Sequence, residues 1–401
     1  MSDIEAFRAR ARQWLETMAP TFGAAARKGL DEEADLELAR RYMALRFEAG
    51  LAGIAWDRAF HGQGLTPLHK LAFEAEEMRF GMPTAWFGIS LGMPIPVMMR
   101  FCEDKPFVRE RVRAALRGEE IWCQLFSEPA AGSDLAGLRL RAEADGDGWR
   151  LNGQKLWTSY AHVSDYGVIV ARTDPAVPKH KGLTYFWVNM RAPGITVRRV
   201  KLAAGDSHVN EVFFDDVIVP DSQRLSPVGG GFGVAMATLM IERYVAADSG
   251  GYGPPLALLL DLARSTQVNG RPALEDGRVR SAIARNHALR NALDAIHARS
   301  LTMLQAGMEP GPEGAINKLV SVRARQKLSE FALDLMCVAG LEIDPLGTSR
   351  DSWAESWIAA PTGRIAGGAD EMLLNTIAER ILGLPQDHRP DKGVPFNRIP
   401  A

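Results

Sequence analysis

IWCQLFSEPAAGSDLAGL, residues 121–138, is where the pattern of the chain changes. Before it, apolar residues recur at helical spacing; after it come short alternating or β-branched runs separated by turn residues. Inside it an apolar, aromatic run with the look of a buried strand stops at Ser127, Glu128 and Pro129, followed by two alanines, Gly132, Ser133 and Asp134. Small residues and hydroxyls after a strand leave the main chain open to a ligand.

Upstream, Ile4, Phe7, Ala11, Trp14, Leu15 and Met18 form one helical stripe. Thr66-Pro67 reads as a helix start whose hydroxyl can cap free amides, with Gly81 as its stop, and Asp104 to Gly118 repeats that logic. Downstream, LRLRAEA, the DGDG turn, WRLNG, YGVIVAR, LTYFWVNM, ITVRRV and NEVFFDDVIV read as strands. After Gly229, Gly230 and Gly231 the helical period returns and runs almost to the end. The expected class is α+β, with a helical domain over 1–120, a β domain over 121–225 and a second helical domain over 226–401.

The 401 residues are 46% apolar and 24% charged, an ordinary globular balance. A formal net charge of −2 without a basic run argues against nucleic-acid binding. Cys102, Cys123 and Cys337 form neither a disulfide framework nor a CxxC pair, which fits a reducing cytoplasm. The charged, amphipathic start and the shortness of runs such as LALLLDLA predict a protein with no targeting segment and no membrane insertion.

Three features imitate chemistry. GISLG at 88–92 matches a hydrolase nucleophile elbow, but no strand precedes it and Pro94 and Pro96 follow, so a turn-rich loop between helices is expected and Ser90 is not taken as a nucleophile. GGGFG at 229–233 lacks dinucleotide-loop spacing and reads as a flexible connector. The eight histidines make no metal-binding pair on a helix face, and His287 and His297 are expected on a partly solvated helix.

A flavin needs an apolar wall, short donors at its ring edge, and amides or hydroxyls at its phosphates. Backbone groups of Gln124 and Phe126 with the Ser127 hydroxyl are placed to face the ring, and the small residues up to Gly132 and Ser133 let a pyrophosphate approach the main chain. NGQKLWTSYAH, residues 152–162, offers Trp157 as a wall with Thr158 and Ser159 as donors.

EPAAGSDLAG, GQKLWTS, EVFFDDVIVP and the late GRIAGGADEMLLNTIAERILGLP occur in the order and at the separations seen in the acyl-CoA dehydrogenase family, which the chain resembles over nearly its whole length. The resemblance implies an N-terminal helical domain, a central β-barrel-like domain and a C-terminal four-helix bundle. It implies FAD, an acyl-CoA substrate, electron-transfer flavoprotein as acceptor, and a homo- or hetero-tetramer. Gln124, Phe126, Ser127, Gly132 and Ser133 match flavin and pyrophosphate contacts; Trp157 and Ser159 match the residues beside the ring and its N5, with Thr158 between them as an expected cofactor donor.

Such enzymes take an α-proton onto a carboxylate while the β-hydrogen leaves as hydride. Many members carry the base in the late motif, where this chain has Gly367. It is similar instead to a subset with the base on the first helix after the β domain, which makes Glu242 of LMIERY the candidate. Glu371 is the fallback base, with a place near the cofactor or at a helix start as its expected role; Gly368 is expected at the cofactor, and Arg243 and Gly367 at the substrate. STQVNGRP and LMCVAGLE stand where the family has a flavin-binding arginine and glutamine, with Arg264 or Arg271 as substitutes, and Ala369 and Asp370 replace the usual threonine and serine. These departures point to a subunit of a heteromeric dehydrogenase as the alternative; an oxidase or hydroxylase on the same scaffold is another. Trp86, Phe87, Met93 and Met98 suit either a roomy acyl pocket or core.

Overall fold

Asp31 and Asp104 each begin a helix in the same way, by accepting the backbone N–H three residues on, from Ala34 at 2.8 Å and from Phe107 at 3.0 Å. In the computed structural model, which describes residues 3–248, 256–305, 308, 311–337 and 353–399, these open α2 (Glu32–Glu48) and α6 (Lys105–Leu116). The side chains of 240–248, 301, 304 and 305 lie outside that description. The other N-terminal helices are α1 (Asp3–Phe22), α3 (Pro67–Phe80), α4 (Ala85–Gly92) and α5 (Pro94–Phe101). Gly81 ends α3 at φ 60°, in the left-handed region that glycine tolerates. Thr66 does not cap α3 through its hydroxyl; that group pairs with His69 Nδ1 at 2.7 Å instead.

The α1 stripe buries Phe7, Ala11 and Leu15 in a core with Tyr42, Met43 and Phe73. Its flank carries Arg8 and Arg12, which donate to buried Glu76 of α3 at 2.7–2.9 Å; Arg79 adds a bond at 3.0 Å. The bonds from Arg12, outweighing burial, and from Arg8 hold the Glu76 carboxyl down to about 2. A lowered carboxyl pKa supplies stability above the ordinary value of 4.5 that is lost as pH falls through about 2. Urea midpoints of the wild type should therefore fall across that window. Those of Glu76→Gln should start lower and change less; parallel curves would remove Glu76 from the acid response.

The central sheet contains β1 (Trp122–Leu125), β2 (Arg141–Asp145), β3 (Gly148–Ser159), β4 (Tyr166–Arg172), β5 (Leu183–Asn189), β6 (Ile195–Val200) and β7 (Val209–Pro220). The order is β1-β4-β2-β3-β7-β6, with β5 also paired to β4; β1 and β4 run parallel, and the hairpin pairs are antiparallel. Helices return with α7 (Gly231–Asp248), α8 (Leu256–Ser265), α9 (Gly277–Gln305), α10 (Gly314–Met336), α11 (Trp353–Gly363) and α12 (Asp370–Thr376). A small hairpin, β8 (Gln267–Val268) and β9 (Arg271–Pro272), lies between α8 and α9. The architecture is α+β: helices, a mixed sheet, then helices. Among the described residues no helix is long and apolar enough to cross a membrane.

Contacts divide the chain into two compact units. The first is Met1–Leu202, Ser207–Ile241 and Arg389–Ala401; the second is Ala203–Asp206 and Glu242–His388. In the first, one core beneath the helices gathers Val97, Met98, Trp122, Phe126, Val168 and Tyr185, and another fills the sheet around Leu125, Leu151, Phe186 and Phe214.

Two expectations need correction. GISLG is not a turn-rich loop but part of α4, whose Ser90 is fully buried. Its Oγ accepts from Trp122 N at 2.7 Å and donates to Trp122 O at 3.1 Å, so the serine anchors the strand that leads into the opening stretch. GGGFG is not a loose connector either. A Cβ on Gly231 would stand 2.5 Å from the Thr184 carbonyl carbon, so glycine is what lets the start of α7 press on β5.

Candidate active site

The site grows from a meeting of two strands. β3 pairs with β7 along its length, but the register slips between Lys155 and Thr158. A bulge frees backbone groups and re-aims a side chain. Here it lets Leu156 N donate to Ser127 O at 2.8 Å, which ties NGQKLWTS to the SEPAAGSD loop. It also puts Trp157 at φ 62°, a costly conformation for a bulky residue, with 55% of its surface exposed. A flat apolar face is thus held outward beside the loop.

Next to it Thr158 is buried, and its Oγ1 has no partner among the described residues. A buried hydroxyl left unmet costs about 1–3 kcal/mol. Ser127, Ser159 and Gln124 are half-buried, Phe126 is buried, and Gly132 and Ser133 are exposed. A Cβ on Gly132 would meet nothing within 4 Å, so the main chain there is open to a ligand. The bond from Leu156 N to Ser127 O joins the two segments that carry these eight expected residues, and their chemistry fits a flavin: an exposed indole, an orphaned donor, three further hydroxyls and an open backbone.

What fixes the loop is a set of cations that the sequence reading passed over. Lys155 is fully buried; its Nζ lies 2.8 Å from Glu128 Oε1 and 3.0 Å from Phe126 O. Burial lowers the Lys155 pKa against the pull of Glu128. The Glu128 oxygens also accept Arg139 N at 2.6 Å and Leu140 N at 3.0 Å. Arg172, buried and pushed down to about 10 by that burial, donates to Leu138 O at 3.0 Å and Ala136 O at 2.5 Å. Asp134 meets Lys179 at 2.7 Å. Glu128 and Asp134 therefore fix the loop. A lysine at an inward position of a strand was the available signal, since it demands a buried carboxylate.

The pocket reading of Phe87, Met93 and Met98 is not supported, because all three are core residues. Trp86 is half-buried, donates to Asp35 at 2.8 Å and packs on Tyr160. Glu242 and Arg243 fall within α7, with side chains outside the described residues.

In the second unit, Gly367 and Gly368 have φ of 66° and 101°, and Lys318 Nζ reaches Gly368 O at 2.5 Å. Asp370 is buried, with Arg323 and Arg364 2.7–2.9 Å from Oδ2. Burial alone would raise its pKa; the two arginines lower it. The negative charge of the late motif is therefore neutralised in place. Glu371 stands exposed in the first turn of α12. Arg264 is paired with Asp261 at 2.8 Å, Arg271 is exposed on the β8–β9 hairpin, and most of LMCVAGLE lies outside the described residues. His287 is exposed and His297 half-buried on α9.

Residues 123–217 match the model of the acyl-CoA dehydrogenase middle domain, and 229–382 that of the acyl-CoA dehydrogenase C-terminal domain. The chain is 35% identical over 398 residues to acyl-CoA dehydrogenase IpdE1 of Mycobacterium tuberculosis, covering 96% of this chain and 99% of that one. It is 36% identical over 360 residues to acyl-CoA dehydrogenase FadE34 of the same organism, covering 88% of this chain but 47% of that longer relative. A solved structure described as Tcur3481-Tcur3483 steroid ACAD superposes with a TM-score of 0.80 at 24% identity, over 96% of this chain and 99% of that one.

Proposed function

The chain belongs to the acyl-CoA dehydrogenase family of oxidoreductases, and on that basis we propose that it binds FAD against Trp157 and the loop 127–134 and desaturates an acyl-CoA thioester between Cα and Cβ. The observation that carries the reading is the exposed indole of Trp157, held at positive φ by a bulge that also pins Ser127. Bound FAD supplies the acceptor for the hydride that leaves Cβ.

The chain's own residues do the rest. The main chain at Gly132 and the Ser133 hydroxyl receive the diphosphate. Gln124, Phe126 and Ser127 border the ring, and Thr158 and Ser159 supply donors at its edge. Glu242 takes the α-proton, with Arg243 and Gly367 on the substrate side, while Gly368 and Glu371 serve the cofactor. An α-proton is a weak acid, so the base must be desolvated and the thioester oxygen must receive hydrogen bonds as charge builds on it. Electron-transfer flavoprotein is the expected acceptor.

Titrating the purified chain with FAD tests this. The wild type should take up FAD and quench its fluorescence, and Trp157→Ala should bind about 10-fold more weakly for loss of one aromatic face. No uptake by the wild type, or equal affinity in the variant, contradicts the reading.

Asp370 favours a second arrangement, in which another subunit completes the flavin site. Locked between Arg323 and Arg364, it offers no hydroxyl where the family commonly has one. A homo-oligomer should then bind one FAD per chain, and a heteromer fewer.

A further inference from the structure

Residues Arg389–Ala401 belong to the first unit. Phe396 N donates to Val177 O and Asn397 N to Pro175 O, each at 2.9 Å, which docks the end of the chain beside β4. The docked segment meets two of the cations that hold the loop, Arg172 and Lys179. The Phe396 ring centroid lies 3.5 Å from the Arg172 guanidinium carbon, closing over a group whose donors serve Leu138 O, Ala136 O and Lys179 O. Asp391 stands 2.5 Å from Lys179 Nζ, the same ammonium that holds Asp134 at 2.7 Å. Asp134 directly follows Ser133.

We infer that Phe396 and Asp391 are positioning residues for the cofactor loop, setting FAD affinity through Arg172 and Lys179 without touching the cofactor. A guanidinium that must bond three carbonyls keeps them only while water is shut out, and an aromatic face excludes water while attracting the charge. Lys179 is held in the same manner. Burial would lower its pKa, but Asp134 and Asp391 together raise it, so the ammonium stays charged between loop and tail. The inference rests on the FAD reading above and adds a part of the chain that lies outside every cofactor motif.

Full-length wild type, Phe396→Ala, Phe396→Tyr and Asp391→Asn would be stripped of flavin and titrated with FAD, following flavin fluorescence. Phe396→Ala should weaken FAD binding ~10-fold while Phe396→Tyr, which keeps the ring, stays within about 2-fold. Asp391→Asn should weaken it by about 3-fold, and offers a variant that folds if Phe396→Ala does not. At saturating FAD, Phe396→Ala should recover the wild-type flavin absorption spectrum, which a generally damaged fold would not. Proteolysis of the flavin-free variants should also be faster at Arg139 and Arg141. Wild-type uptake with unchanged affinity in both Phe396→Ala and Asp391→Asn overturns the inference alone, as does equal loss in Phe396→Ala and Phe396→Tyr. Absence of uptake by the wild type removes the FAD reading and this inference together.

Discussion

Glu242→Gln is expected to leave FAD bound and to cut reduction of the flavin by substrate roughly 10⁴-fold under anaerobic mixing, the upper range for removing a general base. Glutamine keeps the shape of the side chain and loses the proton acceptor, so binding and chemistry separate in one variant. The neighbours of Glu242 in sequence, Met240, Ile241, Tyr244 and Val245, are those of a carboxylate shielded from water, where a base gains strength. Exchange of the α-proton of a bound thioester into D₂O should disappear with the activity. Reduction at the wild-type rate would assign the base elsewhere, with Glu371 next to be replaced.

Lys155→Met should carry the largest stability loss, about 3–5 kcal/mol, because it leaves Glu128 charged, buried and without its ammonium. The denaturant midpoint should fall with little change in slope. The double variant Lys155→Met/Glu128→Leu should regain part of that loss, since two apolar groups no longer strand a charge, but not FAD affinity, since Arg139 N and Leu140 N then lose their acceptor. A single variant as stable as wild type would show the pair to be dispensable, and with it the account of how the loop is held.

Much of this was legible in the residues, for identifiable reasons. The short alternating or β-branched runs YGVIVAR, LTYFWVNM and ITVRRV marked β4, β5 and β6, each of which pairs in regular register. LRLRAEA was read three residues too early: β2 begins at Arg141, because the N–H groups of Arg139 and Leu140 go to Glu128 rather than to a neighbouring strand. GISLG was misread because glycines usually punctuate, whereas here they lie within a helix whose serine is committed to Trp122. LALLLDLARS was noted only as an apolar run, and WAESWIAAPTG, with a proline inside, was not read as a helix at all.

At the site, both motifs were visible as small, hydroxyl-bearing segments, and the structure sets them side by side through the bond from Leu156 to Ser127. The cations behind them were not. Nothing local to Lys155 names Glu128, nothing local to Arg172 names Phe396, and pairings between distant segments are fixed only once the sheet forms. The positive φ of Trp157 belongs to the same class, since it follows from a register slip against β7 rather than from a preference of tryptophan.

The most direct measurement is anaerobic mixing of the FAD-loaded protein with a panel of straight, branched, cyclic and sterol-derived acyl-CoA esters while the flavin absorbance is followed. At least one ester should bleach the flavin and emerge as the corresponding 2-enoyl thioester. Full FAD occupancy with no bleaching by any ester would contradict desaturation as the activity of this chain.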